Sequence, residues 1–139
     1  MKRLVLVLLV ALAGCGGSDE ESLGARIALV VPDNNIREEG IECAGARPFR
    51  HVHAGTSYRI EAGDGSVVAE GELPAGRAEN ADPSIDWNSE KIPTVCVMTF
   101  DVELPERPRY RLVIEGSVPT AFARSLVRED ETLRLVLQG

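Results

Sequence analysis

Aromatic residues are scarce in this 139-residue chain, which holds three Phe, two Tyr and one Trp. So few rings leave little material for a carbohydrate-stacking platform. Lysine is nearly missing too. Lys2 and Lys91 are the only two, and Arg supplies the other basic residues, a pattern that reads as codon bias. No CxxC is present, which removes thioredoxin-type redox chemistry. Nor is there a GxSxG, HExxH, SxxK or phosphate-binding Gly loop, so the common nucleophile, metalloprotease and nucleotide motifs are absent. The longest apolar run, residues 4–13, is about half the roughly 20 residues needed to span a bilayer as a helix. Positive charge is in deficit, with 15 Lys and Arg against 22 Asp and Glu. That balance excludes nucleic acid, whose binding is dominated by phosphate contacts to basic side chains.

The N-terminus is organised as an export signal. Lys2 and Arg3 precede the apolar run LVLVLLVALA, and small residues then lead to Cys15. Leu12-Ala13-Gly14-Cys15 resembles the lipobox of bacterial lipoprotein precursors. The resemblance implies cleavage before Cys15, lipidation of that cysteine and attachment of the chain to the cell membrane, outside the cytoplasm. One buried acyl chain holds a protein only marginally, whereas a diacylglyceryl anchor is durable. Residues 1–14 are therefore expected to be the signal peptide. Residues 15–25 are expected to be a lipidated tether, solvated by Asp19, Glu20 and Glu21. Removing Lys2 and Arg3 from the 15 basic residues leaves 13 against 22 acidic, a formal charge of −9 on the mature chain.

Once Cys15 is assigned to lipid, Cys43 and Cys96 remain as an even pair in an oxidising compartment, where a disulfide is the expected outcome. Closing a loop of about 54 residues stabilises by about 4 kcal/mol in chain-entropy terms. Metal-bound or free thiols are the alternative.

The mature chain suits one domain, residues 26–139, with enough length for one core. Its pattern is that of short strands between turn residues. RIALVV (26–31) stops at Pro32-Asp33-Asn34-Asn35. Tyr58, Ile60 and Ala62 alternate, and Gly63-Asp64-Gly65 turns the chain back through residues 67–73 as a hairpin. From Cys96 onwards, Met98, Phe100, Val102 and Leu104 recur at period two. Tyr110, Leu112 and Ile114 resume that pattern after Pro105-Glu106-Arg107-Pro108. Read as a hairpin, this register sets Leu104 opposite Tyr110 and Glu103 opposite Arg111. Leu133, Leu135 and Leu137 face inward on a last strand, and residues 121–128 fit either a turn of helix or a further strand. About seven strands without a long helical period predict an all-β sandwich.

The mature part also resembles uncharacterised exported proteins of high-GC bacteria. The resembling residues are Cys43-Ala44-Gly45, the run from His53 to Tyr58, the run from Asp64 to Gly71, and residues 96–105 with Tyr110. The resemblance implies an immunoglobulin-like or transthyretin-like sandwich and carries no functional residues with it.

Few residues are candidates for chemistry. On a strand His51 and His53 share a face, and two imidazoles so placed suit Zn²⁺ or Cu²⁺. A site needs further ligands that no spacing nominates, and with Val52 facing the core both histidines would point to solvent. Asp33-Asn34-Asn35 and Asp82 with Asp86 are oxygen-rich, but they match turn chemistry rather than a calcium loop. Asp101 and Glu103 read as a solvated strand face. Trp87, in a polar loop, is either a binding anchor or a cap on the open end of the sandwich. These features favour a non-catalytic binding or accessory module at the cell envelope, with an envelope protein or other surface component as partner. A solute- or metal-binding lipoprotein using His51 and His53 is the alternative, and an enzyme of unrecognised type comes third.

Overall fold

The hydroxyl of Tyr110 shows how the chain is folded. It donates to the carbonyl of Pro105 at 2.8 Å and accepts the N–H of Arg107 at 3.0 Å. The segment between them therefore turns a corner from one sheet to the other, as a tyrosine does in immunoglobulin-type sandwiches. The computed structural model describes residues 21–139. The expected signal peptide, the expected lipidation site Cys15 and the start of the expected tether, to residue 20, lie outside them.

Among the described residues there are nine strands, two more than the sequence pattern suggested. They are β1 (Ser22–Glu38), β2 (Glu42–Cys43), β3 (Ser57–Ala62), β4 (Val67–Glu72), β5 (Gly76–Asn80), β6 (Lys91–Pro105), β7 (Arg109–Ile114), β8 (Thr120–Ala123) and β9 (Thr132–Val136). A five-stranded sheet, in the order β2-β5-β6-β1-β9, packs on a four-stranded sheet, β4-β3-β7-β8. The result is an all-β sandwich with one core.

The period-two reading holds for what faces inward. Ile27, Leu29 and Val31 of β1, Cys96, Met98 and Leu104 of β6, and Tyr110, Leu112 and Ile114 of β7 are all buried in that core. The hairpin reading of β6 and β7 is wrong. Leu104 lies opposite Leu23 and Glu103 opposite Gly24, both on β1, while Arg111 lies opposite Glu61 on β3. An inward face followed by a short Pro-rich link fits a hairpin or a corner equally well, and the Tyr110 hydroxyl decides for the corner. The hairpin of β3 and β4 is as expected, with Gly65 at φ 86° in the turn.

Three further boundaries differ from the pattern. β1 begins at Ser22, so residues 22–25, expected in a tether, pair with β6 instead. It also runs past Pro32, because a register shift between Val31 and Asn35 absorbs the turn-forming residues as a bulge. Within residues 121–128, strand β8 is followed by one 3₁₀ turn, Arg124–Leu126, so each alternative holds for part of the segment.

The outer face of the five-stranded sheet carries a second apolar cluster of Ala28, Val30 and Val97. Arg134 of β9 and Glu79 of β5 meet at 3.2 Å, and β1 and β6 lie between their strands. The pair thus spans the face that carries this cluster, against which Val95 packs.

Candidate functional site

Cys43 and Cys96 form the expected disulfide, with Cα atoms 5.9 Å apart. It joins the two-residue edge strand β2 to β6 at the centre of its sheet. The bond passes over Gly76 of β5. A Cβ at that position would collide with Sγ of Cys96 and lie 3.0 Å from Sγ of Cys43. The irregular segment around Cys43 is thereby pinned to a central strand, as expected.

A buried ion pair makes the second tie. Asp33 occupies the bulge of β1, and its side chain is wholly buried. Arg37 donates from Nη2 to its Oδ2 at 2.6 Å and from Nη1 to its Oδ1 at 3.1 Å. The guanidinium also reaches Oγ1 of Thr94 at 3.1 Å and the carbonyl of Ala44 at 2.9 Å, and the N–H of Ala46 donates to Asp33 at 2.9 Å. Burial pushes the Asp33 carboxyl up, but the Arg37 guanidinium and the Ala46 amide outweigh it and hold the carboxyl below the usual range. Sequence reasoning took Asp33 for a turn residue. The only signal of its role is an Arg four positions on, and that becomes informative once Thr94 and Ala44 are in place around it.

These two ties position the loop that carries both histidines. That loop is not a strand, so His51 and His53 do not share a face by alternation. Val52 is fully buried, as expected. His51 Nε2 lies 2.7 Å from Oγ of Ser117 in the turn after β7, and its ring stands 3.2 Å from where a Cβ on Gly116, which adopts φ 86°, would be. His53 donates from Nδ1 to the carbonyl of Ala54 at 2.9 Å. Each imidazole is engaged with a different neighbour, and among the described residues no three His, Cys, Asp or Glu side chains cluster as a metal site would require.

The His51–Ser117 contact has the spacing of a base and a nucleophile. The rest of such a centre is not assembled around it. The N–H of Ser117 donates to Ile114 and that of Val118 to Gln138, so neither amide is free to hold an oxyanion. Among the described residues no carboxylate bonds the His51 ring. The contact ties the histidine loop to the turn after β7.

Trp87 is half-buried, and its Nε1 donates to Oδ1 of Asn80 at 3.1 Å. It folds back on the end of β5 rather than standing free as an anchor. Exposed Ile41 and Ile85 lie in the loops at the same end. Asp82 and Asp86 accept from the backbone N–H of Ser84 and Asn88, as turn chemistry predicts.

Among the described residues, two of the surface hollows are worth comparing with a site. The larger, about 560 Å³, lies beside the start of β1 and is lined by five carboxylates, among them Asp101, Glu103 and Asp130, and by Arg26. Arg26 bonds Asp101 at 2.9 Å and holds that carboxyl below its usual range. The smaller, about 280 Å³, lies by Tyr58, Arg59 and Glu70. Nearby Glu61 bonds Arg59 and Arg111, and both lower its pKa, Arg59 the more. Neither hollow gathers a nucleophile, a base and an amide cradle. Compared with known proteins, the chain matches no family model, no curated protein and no solved structure.

Proposed function

We propose that this protein is an exported lipoprotein, held to the outward face of the cell membrane through Cys15, and that its sandwich is a non-catalytic binding module for another envelope component. The observation that carries the reading is the buried Cys43–Cys96 disulfide behind a lipobox. Disulfides persist in extracytoplasmic compartments and are rare in reducing ones. The binding surface is the loop end that carries His51, Trp87, Ile41 and Ile85. A rigid scaffold displaying loops is the common arrangement for recognition. The His51–Ser117 pair at this end has neither a free amide cradle nor a carboxylate on the ring among the described residues, which favours recognition over turnover.

Crosslinking in cells, followed by mass spectrometry, tests this. The lipidated protein is expected to capture a reproducible partner that the Cys15→Ala variant, free of the membrane, does not. Robust turnover of an envelope substrate by the purified domain, abolished by Ser117→Ala, would overturn the non-catalytic reading.

A further inference from the structure

β6 is paired along almost its whole length on one side, by β1, but only at residues 94–97 on the other, by β5. Just before β5 the chain passes through Leu73-Pro74-Ala75 from β4, which belongs to the opposite sheet. That change of sheet leaves residues 98–105 of β6 without a neighbour. Among the described residues no strand pairs with this edge. Eight residues of strand span about 26 Å.

The core is open along the same edge. Met98 and Leu104 are wholly buried, whereas Phe100 and Val102 between them are only partly so, although they pack on the same core. Their partners on β1, Ile27 and Ala25, are buried. Phe100 and Val102 are therefore reached from the unpaired side. Phe100 stacks on Tyr58 of β3 with ring centroids 4.5 Å apart. An exposed edge invites pairing, and proteins blunt such edges with short strands, bulges or proline. The other edges are blunted in this way. β2 has two residues, β8 four and β9 five, and a register shift at Ile60/Glu61 breaks the ladder of β3 and β4. Residues 98–104 carry neither a proline nor a bulge.

We infer that this edge of β6 receives an extended segment of another protein as an added strand, with apolar side chains toward Phe100 and Val102 alternating with basic ones toward Asp101 and Glu103. The surface is separate from the loop end proposed above and does not depend on lipidation. The free backbone edge carries the inference, and the carboxylates only select the occupant. Opposite charges across a strand pair stabilise it, and like charges destabilise it. Arg26 answers Asp101 from β1, while Glu103 accepts from the Ser22 hydroxyl and is bonded by no described cation. A second copy of this chain is the poorer occupant. Antiparallel self-pairing that keeps Phe100 and Val102 on the core face, centred on residue 101, 102 or 103, sets carboxylates directly opposite one another.

The test uses the full chain as cells make it, extracted in detergent, and three heptapeptides. These are KVKVKVK, its acidic counterpart EVEVEVE, and KKVVVKK, which keeps the composition and loses the alternation. Amide hydrogen exchange, read residue by residue by NMR, reports where each one binds. In the free chain, alternate amides of residues 98–104 are expected to exchange fast. Saturating KVKVKVK should slow them about tenfold or more, and the other two peptides should not. Asp101→Asn/Glu103→Gln, at two exposed positions, should weaken KVKVKVK about threefold or more and leave exchange in the free chain as it was. Failure of KVKVKVK to bind overturns the inference. So does binding without protection at 98–104, which is mere adhesion of a cation to an acidic chain, and so does equal protection by EVEVEVE. Amides of 98–104 already slow in a free chain that sediments as a dimer give the edge to a second copy, and overturn it as well.

Discussion

Asp33 and Arg37 face each other across one residue-pair contact that is closed to water on both sides. Two N–H groups of the guanidinium meet the two carboxylate oxygens at 2.6 and 3.1 Å, and the side chains are 0% and 8% exposed. The pair sits where β1 bulges, and its remaining bonds run to Thr94 and to the backbone of Ala44 and Ala46. It thus connects three segments that alternation alone does not join.

Removing one partner leaves the other charge buried without compensation. Arg37→Leu is expected to cost about 3–5 kcal/mol, well above the effect of an exposed pair. Adding Asp33→Leu should return part of that loss, because the double variant buries no charge. Urea denaturation of the two single variants and the double variant checks this. Additive losses would show that the two side chains act independently.

The pH dependence follows in sign. The Asp33 carboxyl has a folded pKa below its unfolded value, which is about 3.9. Its contribution to stability is therefore fully present above pH 4 or so and is lost as pH falls through the folded value. Thermal unfolding between neutral and strongly acid pH should show this drop. In Arg37→Leu the Asp33 component of the drop should shrink or reverse, since burial alone raises a carboxyl pKa.

The sequence made much of the frame legible and left the ties hidden. Period two identified the inward faces of β6 and β7, because burial on one face of a strand imposes it directly. It could not show that the two strands belong to different sheets, since both arrangements keep Leu104 and Tyr110 inward. The bulge at Pro32 was read as a stop for the same local reason. A proline and two asparagines break a ladder on their own, and what carries β1 onward is the Arg37–Thr94 contact, 57 positions apart. His51 was read on a strand that does not form, and its partner Ser117 is 66 positions away with no local signal.

Gly76 should tolerate no side chain. Its backbone is paired with Cys43 on β2, and the disulfide covers the space a Cβ would take. Gly76→Ala is expected to destabilise by about 2 kcal/mol or more, as overpacking of a rigid core does. The penalty should shrink in a Cys43→Ala/Cys96→Ala background, where the sulfurs are absent. Melting temperatures across the four proteins, with thiol titration of Gly76→Ala, measure this. An equal penalty in both backgrounds would mean that the disulfide is not what excludes the side chain.

His51 and His53 should behave as two separate groups toward divalent metal. His51 Nε2 is engaged with the Ser117 hydroxyl, and His53 Nδ1 is fixed on the carbonyl of Ala54. Binding both to one ion would require breaking the first contact and reorienting a loop whose centre, Val52, is fully buried. Isothermal titration with Zn²⁺ and Cu²⁺ is therefore expected to give the same weak heats for the wild type and for His51→Ala/His53→Ala. Saturable binding with one ion per chain, lost in the double variant, would instead show that the loop opens to form a site. Ser117→Ala separates the two outcomes further. If the hydroxyl only ties the loop, the variant loses about 1 kcal/mol of stability, the worth of one hydrogen bond, and gains no metal affinity. If the tie is what keeps His51 from a metal, the same substitution raises affinity.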